Sequence, residues 1–160
     1  MPAIEDVESF IARVEGLDHV GAIEDFYHAD ASMQENLGPV RRGIAALVAG
    51  EQAALKRMGG APASKCRRFA IDGDTVFINW TFEMPGKDGE TRMLDEVAVQ
   101  TWKGDRILTE RFYYDPALMK WCGGSHGFDA ETPAQHIDAG SPRPCAHRRL
   151  GYLANQPAGR

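Results

Sequence analysis

The sequence has few cysteines and lacks any long apolar run, and these absences narrow the class of protein. Cys66, Cys122 and Cys145 are the three cysteines in 160 residues. Their spacing matches no paired metal-ligand motif, and three are too few for a disulfide framework. We therefore expect no metal site. No apolar run approaches the roughly 20 residues that a membrane-spanning helix requires, so we expect no membrane partner.

An excess of basic charge is also lacking. The 18 Lys and Arg residues are outnumbered by 23 Asp and Glu residues, which leaves a net charge of -5 at pH 7. Nucleic-acid binding requires clustered basic side chains, so a nucleic-acid partner is not expected. The N-terminus runs directly into charged, helix-like sequence and does not resemble a signal peptide. We expect a reduced, cytoplasmic protein without a cofactor.

The first 60 residues have the apolar spacing of helices. Apolar residues at three- and four-residue intervals predict a helix over 3–15. Asp18 is a suitable N-cap for a second helix, which would carry Tyr27 on its apolar side. A third helix is predicted after Gly43, and it should end at Gly59 and Gly60 because Pro62 prevents its continuation.

After the third helix the pattern becomes that of strands separated by turns. Strands are predicted at about 65–71, 75–84, 90–102 and 106–115, with turn residues at 72–73, 86–89 and 103–105. Short connections make neighbouring strands antiparallel. The fold class is therefore α+β, with a curved antiparallel sheet packed against three N-terminal helices.

Glycine and proline interrupt the remainder of the chain after Pro116. We predict one domain over 1–116 and a C-terminal tail over 117–160 that is either disordered or draped over the domain. One helical turn could form within 117–122. Trp121 and Phe128 are candidates for a lid over a pocket, or the tail could fill the pocket itself.

Two segments and one glycine resemble a known superfamily. FYHADASMQEN at 26–36, the helix-opening Gly43 and WKGDRILTERFYYD at 102–115 are similar to nuclear transport factor 2-like proteins, in particular their SnoaL-like and ketosteroid isomerase-like members. This resemblance covers residues 3–116. It implies a cone-shaped curved sheet with an apolar pocket between sheet and helices, and a homodimer joined through the outer sheet face.

The ketosteroid isomerase-like pattern places a general base in the first strand. Tyr27, Asp30 and Ala31 match its Tyr-x-x-Asp-Ala run, and the acidic base then falls on Glu35. A carboxylate in an apolar cavity, with its pKa raised by desolvation, could abstract a proton next to a carbonyl. However, the isomerases' two oxyanion donors fall near Phe10 and Ala98, which cannot donate. Isomerisation of a steroid by that route is therefore not expected.

Other branches of the superfamily leave different alternatives. Limonene epoxide hydrolases require an aspartate where this chain has Phe112, and an Arg-x-Asp pair where it has FINWTFEM, so their reaction is also not expected. SnoaL-like cyclases require chiefly one or two acid–base groups in the pocket. Glu35 and Glu96 could supply these groups.

Strand alternation predicts which side chains face the pocket. If Ala98 points inward, so do the polar residues Glu96, Gln100 and Glu110. The candidates for ligand binding either have inward strand parity or match the superfamily's sequence pattern. They are Tyr27, Trp80, Gln100, Phe112 and Tyr114. Val97, Val99 and Tyr113 then lie on the outer face.

Two functional hypotheses follow. The first is a homodimeric protein that binds a small, largely apolar molecule and transfers a proton on it, in an isomerase, cyclase or hydratase-like step with Glu35 as general base. The second is a non-catalytic ligand-binding or assembly module on the same fold, which the missing oxyanion donors favour.

Overall fold

The computed structural model describes residues 1–85 and 89–119. The elements share one order, with the helices mostly ahead of the strands: α1 Ile4–Glu15, α2 His19–Phe26, β1 Tyr27–Glu35, β2 Arg41–Arg42, α3 Ile44–Met58, β3 Ala63–Asp72, β4 Thr75–Pro85, β5 Thr91–Lys103, β6 Arg106–Tyr114 and α4 Pro116–Met119. The three predicted leading helices and the four predicted meander strands are confirmed. The predicted turn at 86–89 lies mostly outside the described residues, and so does the tail from residue 120 onward.

Local sequence explains where the helices begin and end. Asp18 caps α2, because its carboxylate accepts a hydrogen bond from the Gly21 N–H at 3.0 Å. The helix α3 stops at Gly59, which has a φ of +80° and so takes the left-handed conformation that glycine adopts easily. The prediction that α2 carries Tyr27 is wrong. The chain becomes extended at Tyr27, and its side chain points to the sheet's inner face as the first residue of β1.

The six strands form one curved, unclosed sheet in the order β2-β1-β6-β5-β4-β3. The meander β3 to β6 is antiparallel throughout, as predicted. The strand β1 pairs with β6 in parallel, and its register shifts between Tyr27 and Ser32. This parallel pair joins the first and the last strand of the sheet in chain order, which are separated in sequence by β2, α3 and the first three strands of the meander.

The core lies between the helices and the concave face of the sheet. Its buried residues come from α1, α2, α3, β1, β4, β5 and β6, and they include Phe10 of α1, Ile23 of α2, Leu47 of α3 and Trp102 of β5, whereas β3 adds only partly buried residues. The Phe10 ring makes an edge contact with the rings of Tyr27 and Trp102. The phenylalanine that stands where the isomerases have an oxyanion tyrosine is therefore part of this packed core.

The inward face predicted for β5 is confirmed by burial. Along β5 the buried positions alternate strictly, and they are Leu94, Glu96, Ala98, Gln100 and Trp102. The outer face instead exposes large apolar side chains, namely Phe77, Met93, Val97 and Tyr113.

Candidate functional site

The first candidate site is centred on Glu35, at the end of β1. Arg41 of β2 pairs with Met33 across the sheet, and its guanidinium donates to the Glu35 carboxylate at 2.6 Å. Tyr114 of β6 donates its phenolic proton to the same carboxylate at 2.7 Å. The Glu35 side chain is 43% exposed. Glu35 thus lies at the rim of the inner face rather than in its depth.

The loop after β1 explains why Glu35 meets Tyr114. Asn36 has a φ of +48°, a left-handed conformation that asparagine tolerates better than most residues. From this position its N–H donates to the Phe112 carbonyl at 2.8 Å, and its side-chain oxygen accepts from the Tyr114 N–H at 3.1 Å. The turn therefore fastens the end of β1 to the end of β6.

Glu96 lies on β5 opposite Tyr114 in the register. Its side chain is buried, with only 8% of the residue exposed. Burial raises the pKa of Glu96 well above its usual value, and the negative charges of Glu110 and Glu35 raise it further. Glu96 therefore favours the protonated form.

A second buried carboxyl group, Glu110, lies deeper on the inner face. The Tyr27 phenol donates to one of its oxygens, and the Gln100 amide donates to the other at 2.6 Å. The Gln100 carbonyl in turn accepts from the indole N–H of Trp102 at 3.0 Å. Four side chains of three strands thus form one continuous hydrogen-bonded network under the helices.

The environment of Glu110 places its pKa near neutrality. Burial is the largest effect and raises the pKa from 4.5 to about 7, while the hydrogen bonds from Tyr27 and Gln100 act in the opposite direction. The negative charge of Glu51, on α3, contributes to the increase. The pKa of Tyr27 is also raised well above its usual value, chiefly by burial and then by Glu110. A carboxyl group with a pKa near 7 can exchange a proton at physiological pH.

The structure therefore brings several predicted site residues together. Glu35, Tyr114 and Phe112 lie at the ends of β1 and β6, and Glu96 is directly across from Tyr114. Trp80 pairs with Glu96 on the other side and is buried. Their roles as catalytic or ligand-binding residues remain predictions.

Other groups at the site were not singled out from the sequence. Arg41 and Glu51 gave no signal, because neither belongs to a motif. Glu110 had the correct parity in β6, and its near-neutral pKa comes from tertiary burial.

Two surface pockets lie elsewhere. One, of about 240 Å³, is lined by 58–63 together with Glu83 and Thr91. The other, of about 490 Å³, lies on the outer sheet face beside Met93 and Asp95. Within residues 1–85 and 89–119, no three His, Cys, Asp or Glu side chains are grouped so that they could hold a metal ion. In the same part of the chain, none of the helices has the length and apolar content needed to cross a membrane.

The helices packed on one face of a curved sheet, with polar groups buried on that face, define a nuclear transport factor 2-like protein. The chain belongs to the SnoaL-like domain family, whose sequence profile matches residues 7–110. The predicted resemblance is therefore confirmed.

Several solved structures share this fold. A protein from Mesorhizobium loti described as a SnoaL-like polyketide cyclase is 26% identical, and the match covers 69% of this chain and 97% of that one with a TM-score of 0.54. TerC, co-crystallised with polyporic acid, is 22% identical over 76% of this chain and 98% of its own, with a TM-score of 0.65.

A protein of unknown function from Xanthomonas campestris with a cystatin-like fold is 19% identical, over 78% of this chain and 99% of its own, with a TM-score of 0.67. No functionally curated protein matches the sequence.

Proposed function

We propose that this protein binds a small, largely apolar molecule on the inner face of its sheet and transfers a proton on it, in an isomerase, cyclase or hydratase-like step. Glu35 is the general base, and Glu96 is the proton-donating partner. The observation that carries the proposal is the contrast between these two carboxyl groups. Glu35 is half-exposed and paired with Arg41, whereas Glu96 is buried and favours its protonated form.

Such a contrast is what acid–base catalysis requires. When neighbouring titratable groups have environments that push their pKa values apart, one can accept a proton while the other donates one. Here the charge of Glu35 itself raises the pKa of Glu96, so the two groups are electrostatically coupled. A protonated Glu96 would also supply a hydrogen-bond donor for an enolate oxygen, on the same strand face as Ala98.

Glu110 is the alternative base. Its pKa of about 7 suits proton exchange near neutrality. However, both of its oxygens already accept hydrogen bonds from Tyr27 and Gln100, so a substrate would have to use the remaining lone pairs.

The proposal can be tested with 5-nitrobenzisoxazole, a small apolar compound that opens its ring when a base removes its carbon-bound proton. We expect the wild-type protein to accelerate this reaction over buffer. Glu35→Gln should lower the protein-catalysed rate at least tenfold, since a positioned base contributes about 10²–10⁴-fold. Asp95→Asn is the matched control, because Asp95 neighbours Glu96 but is exposed on the opposite face, and it should leave the rate unchanged.

The other outcomes are equally informative. A rate that survives Glu35→Gln but is lost in Glu110→Gln would assign the base to Glu110 and overturn the role of Glu35. A wild-type protein with no acceleration, together with a small molecule retained in native mass spectrometry, would favour the second candidate function, a non-catalytic binding module. That alternative is supported by Arg41 and Tyr114, which both already donate hydrogen bonds to the Glu35 carboxylate.

We also propose that two copies associate through the outer sheet face. Support comes from its large apolar side chains, which are 38–51% exposed in the single chain: Phe77, Met93, Val97 and Tyr113. Large exposed apolar side chains that share one face of a sheet commonly mark an interaction site.

A further inference from the structure

The Arg41 side chain lies on the inner face of the sheet, between the end of β1 and the helix α3. Arg41 is opposite Met33 in the antiparallel pair of β2 and β1, and cross-strand partners point to the same face of a sheet. Met33 is buried in the core, so Arg41 also points inward. Glu35, two residues further along β1, has the same parity and accepts the hydrogen bond from Arg41 Nη2 at 2.6 Å.

The helix α3 leaves space for this guanidinium. Gly50 lies in the middle of α3, where glycine is less favourable than alanine. A β-carbon at Gly50 would lie 3.2 Å from Arg41 Nη1 and 3.3 Å from its Cδ, which is tighter than ordinary van der Waals contact. The glycine therefore allows α3 to pack directly against Arg41, and the packed helix limits the positions that the guanidinium can take.

Arg41 keeps hydrogen-bonding capacity beside the carboxylate. A guanidinium has five N–H groups and stays charged. In the described part of the chain, both partners of Arg41, the Glu35 carboxylate and the Met33 sulfur at 3.8 Å, are bonded through Nη2. The side chain of Arg41 is 38% exposed. An oxygen of a molecule bound next to Glu35 can therefore accept from the N–H groups of Nε and Nη1.

Proton transfer to Glu35 would leave Arg41 without its anion. When the Glu35 carboxylate removes a proton from a carbon next to a carbonyl, the C–H electron pair becomes part of the C=C bond of an enolate. The carbonyl π electrons move onto oxygen, so one negative charge passes from Glu35 to the substrate. The Arg41 guanidinium remains positive throughout. A fixed donor at the point where charge develops stabilises the transition state.

We propose that Arg41 is the oxyanion-binding residue of this site, and that it exchanges the Glu35 carboxylate for the enolate oxygen as the proton is transferred. The substrate is then a neutral, largely apolar compound with an acidic C–H next to a carbonyl group. A substrate that carries its own carboxylate is disfavoured, because ionised Glu35 would repel it. The catalytic use of Arg41 rests on the proposed function, whereas its capacity to bind an oxyanion does not.

The neighbouring cations point away from this site. Arg42 follows Arg41 on β2 and by alternation points to the opposite face, where it is exposed. Arg111 of β6 donates from Nε to the Asn36 carbonyl at 2.9 Å. Its guanidinium carbon lies 4.8 Å from the centre of the Tyr113 ring, on the outer face. Arg42 is therefore a control with the same charge and nearly the same chain position but a different direction.

The inference can be tested with pentafluorophenolate, a small apolar oxyanion that is ionised at neutral pH, by measuring its equilibrium binding with ¹⁹F NMR. Glu35→Gln mimics the uncharged base after proton transfer. We expect this variant to bind the anion roughly tenfold or more tightly than the wild-type protein does. Adding Arg41→Gln to Glu35→Gln should abolish the gain, whereas adding Arg42→Gln should retain it. Pentafluorobenzene, the neutral analogue, should bind equally to all four proteins.

A gain in affinity that is missing in Glu35→Gln, or that persists after Arg41 is replaced, would overturn the inference. A purely structural role of Arg41 would alter stability without changing the ratio of the affinities for the two probes. Arg41→Lys keeps the charge but not the fork of N–H groups, and in the Glu35→Gln background it should restore part of the gain.

A measurement without an Arg41 variant keeps the test decisive if the double variant does not fold. In ¹⁵N spectra of Glu35→Gln, the Arg41 Nε–H signal should shift on addition of pentafluorophenolate and stay in place on addition of pentafluorobenzene. An Arg41 signal that does not respond to the anion would overturn the inference.

None of these readouts uses turnover, so this inference and the proposed function can fail separately. Loss of 5-nitrobenzisoxazole turnover in Glu35→Gln without tighter binding of the anion would keep Glu35 as the base and reject the role of Arg41. Tighter binding that depends on Arg41, in a protein that does not accelerate the reaction, would keep the oxyanion site and reject the proton transfer.

Discussion

The phenol of Tyr114 donates a 2.7 Å hydrogen bond to the carboxylate of Glu35, and this contact joins the end of β6 to the end of β1. The two residues are 79 positions apart in the chain. Burial is the main reason that the pKa of Tyr114 is raised, and the hydrogen bond and charge of Glu35 add to it. Tyr114 therefore keeps its proton and acts only as a donor to Glu35.

Removing this donor should weaken the fold. Tyr114→Phe keeps the ring but loses the hydrogen bond, and bonds to charged groups contribute about 1.5–3 kcal/mol, less where solvent competes. We expect the free energy of unfolding in urea to fall by about 1 kcal/mol. Tyr113→Phe is the control, because Tyr113 is exposed on the outer face, and it should change stability by less than about 0.5 kcal/mol. Equal losses in the two variants would contradict a specific role of the Glu35 contact.

The raised pKa of Glu110 should make the free energy of unfolding decrease as the pH rises. Its pKa is about 7 in the folded protein and near 4.5 when exposed, so the folded state binds the extra proton between these values. Stability is therefore highest below about pH 4.5, as far as this group is concerned, and is lost as the pH rises to about 7. A shift of this size corresponds to about 3 kcal/mol.

Glu110→Gln removes the titrating group, and we expect a flatter dependence of unfolding free energy on pH over that interval. Asp95→Asn should keep the wild-type slope. An unchanged slope in Glu110→Gln would show that Glu110 does not hold a proton near neutrality. The absolute stability of Glu110→Gln is less informative, because its amide would meet the donating amide of Gln100.

Among the residues of the buried network, Gln100 is the one whose substitution we expect to lower the free energy of unfolding most. The residue is fully buried and connects Glu110 to Trp102. Gln100→Leu would leave the Trp102 indole N–H unpaired and remove a donor to Glu110, which should lower the free energy of unfolding by about 2 kcal/mol or more.

The same change should raise the titration midpoint of Glu110, since the Gln100 hydrogen bond lowers its pKa. Carboxyl ¹³C titration measures this directly. Thr101→Val, on the opposite face of β5, serves as the control and should alter neither quantity. A Glu110 midpoint that falls in Gln100→Leu would contradict the assigned network.

A charged side chain introduced on the outer sheet face should disrupt the proposed association of two copies. Val97 is 38% exposed at the centre of the outer face, and Val97→Lys would bury a charge in the interface. We expect light scattering after gel filtration to give the mass of a dimer for the wild-type protein and of a monomer for the variant. Ala12→Lys adds the same charge on the exposed side of α1 and should remain dimeric. A monomeric wild-type protein would reject the proposal.

Much of the fold was predictable because the decisive patterns are local. The period of the apolar residues, the Asp18 cap and the Gly59 stop depend on neighbours within one or two turns of helix. Alternation in β5 likewise depends only on the geometry of a single strand, so the inward positions of Glu96 and Gln100 followed from the sequence. Tyr27 was misassigned because four-residue spacing from Ile23 fits a helix, whereas the chain turns extended at that residue.

The sequence by itself therefore determined the three leading helices, the four strands of the meander, the inward face of β5 and the family. Only the tertiary structure decided which polar groups meet. Glu35 contacts Tyr114 through the parallel register of β1 and β6, and His19 reaches Glu51 because α2 and α3 pack together. The pKa values of Glu96 and Glu110 depend on burial by several elements at once. These properties depend on several residues that are distant from one another in the chain. No local sequence pattern encodes them.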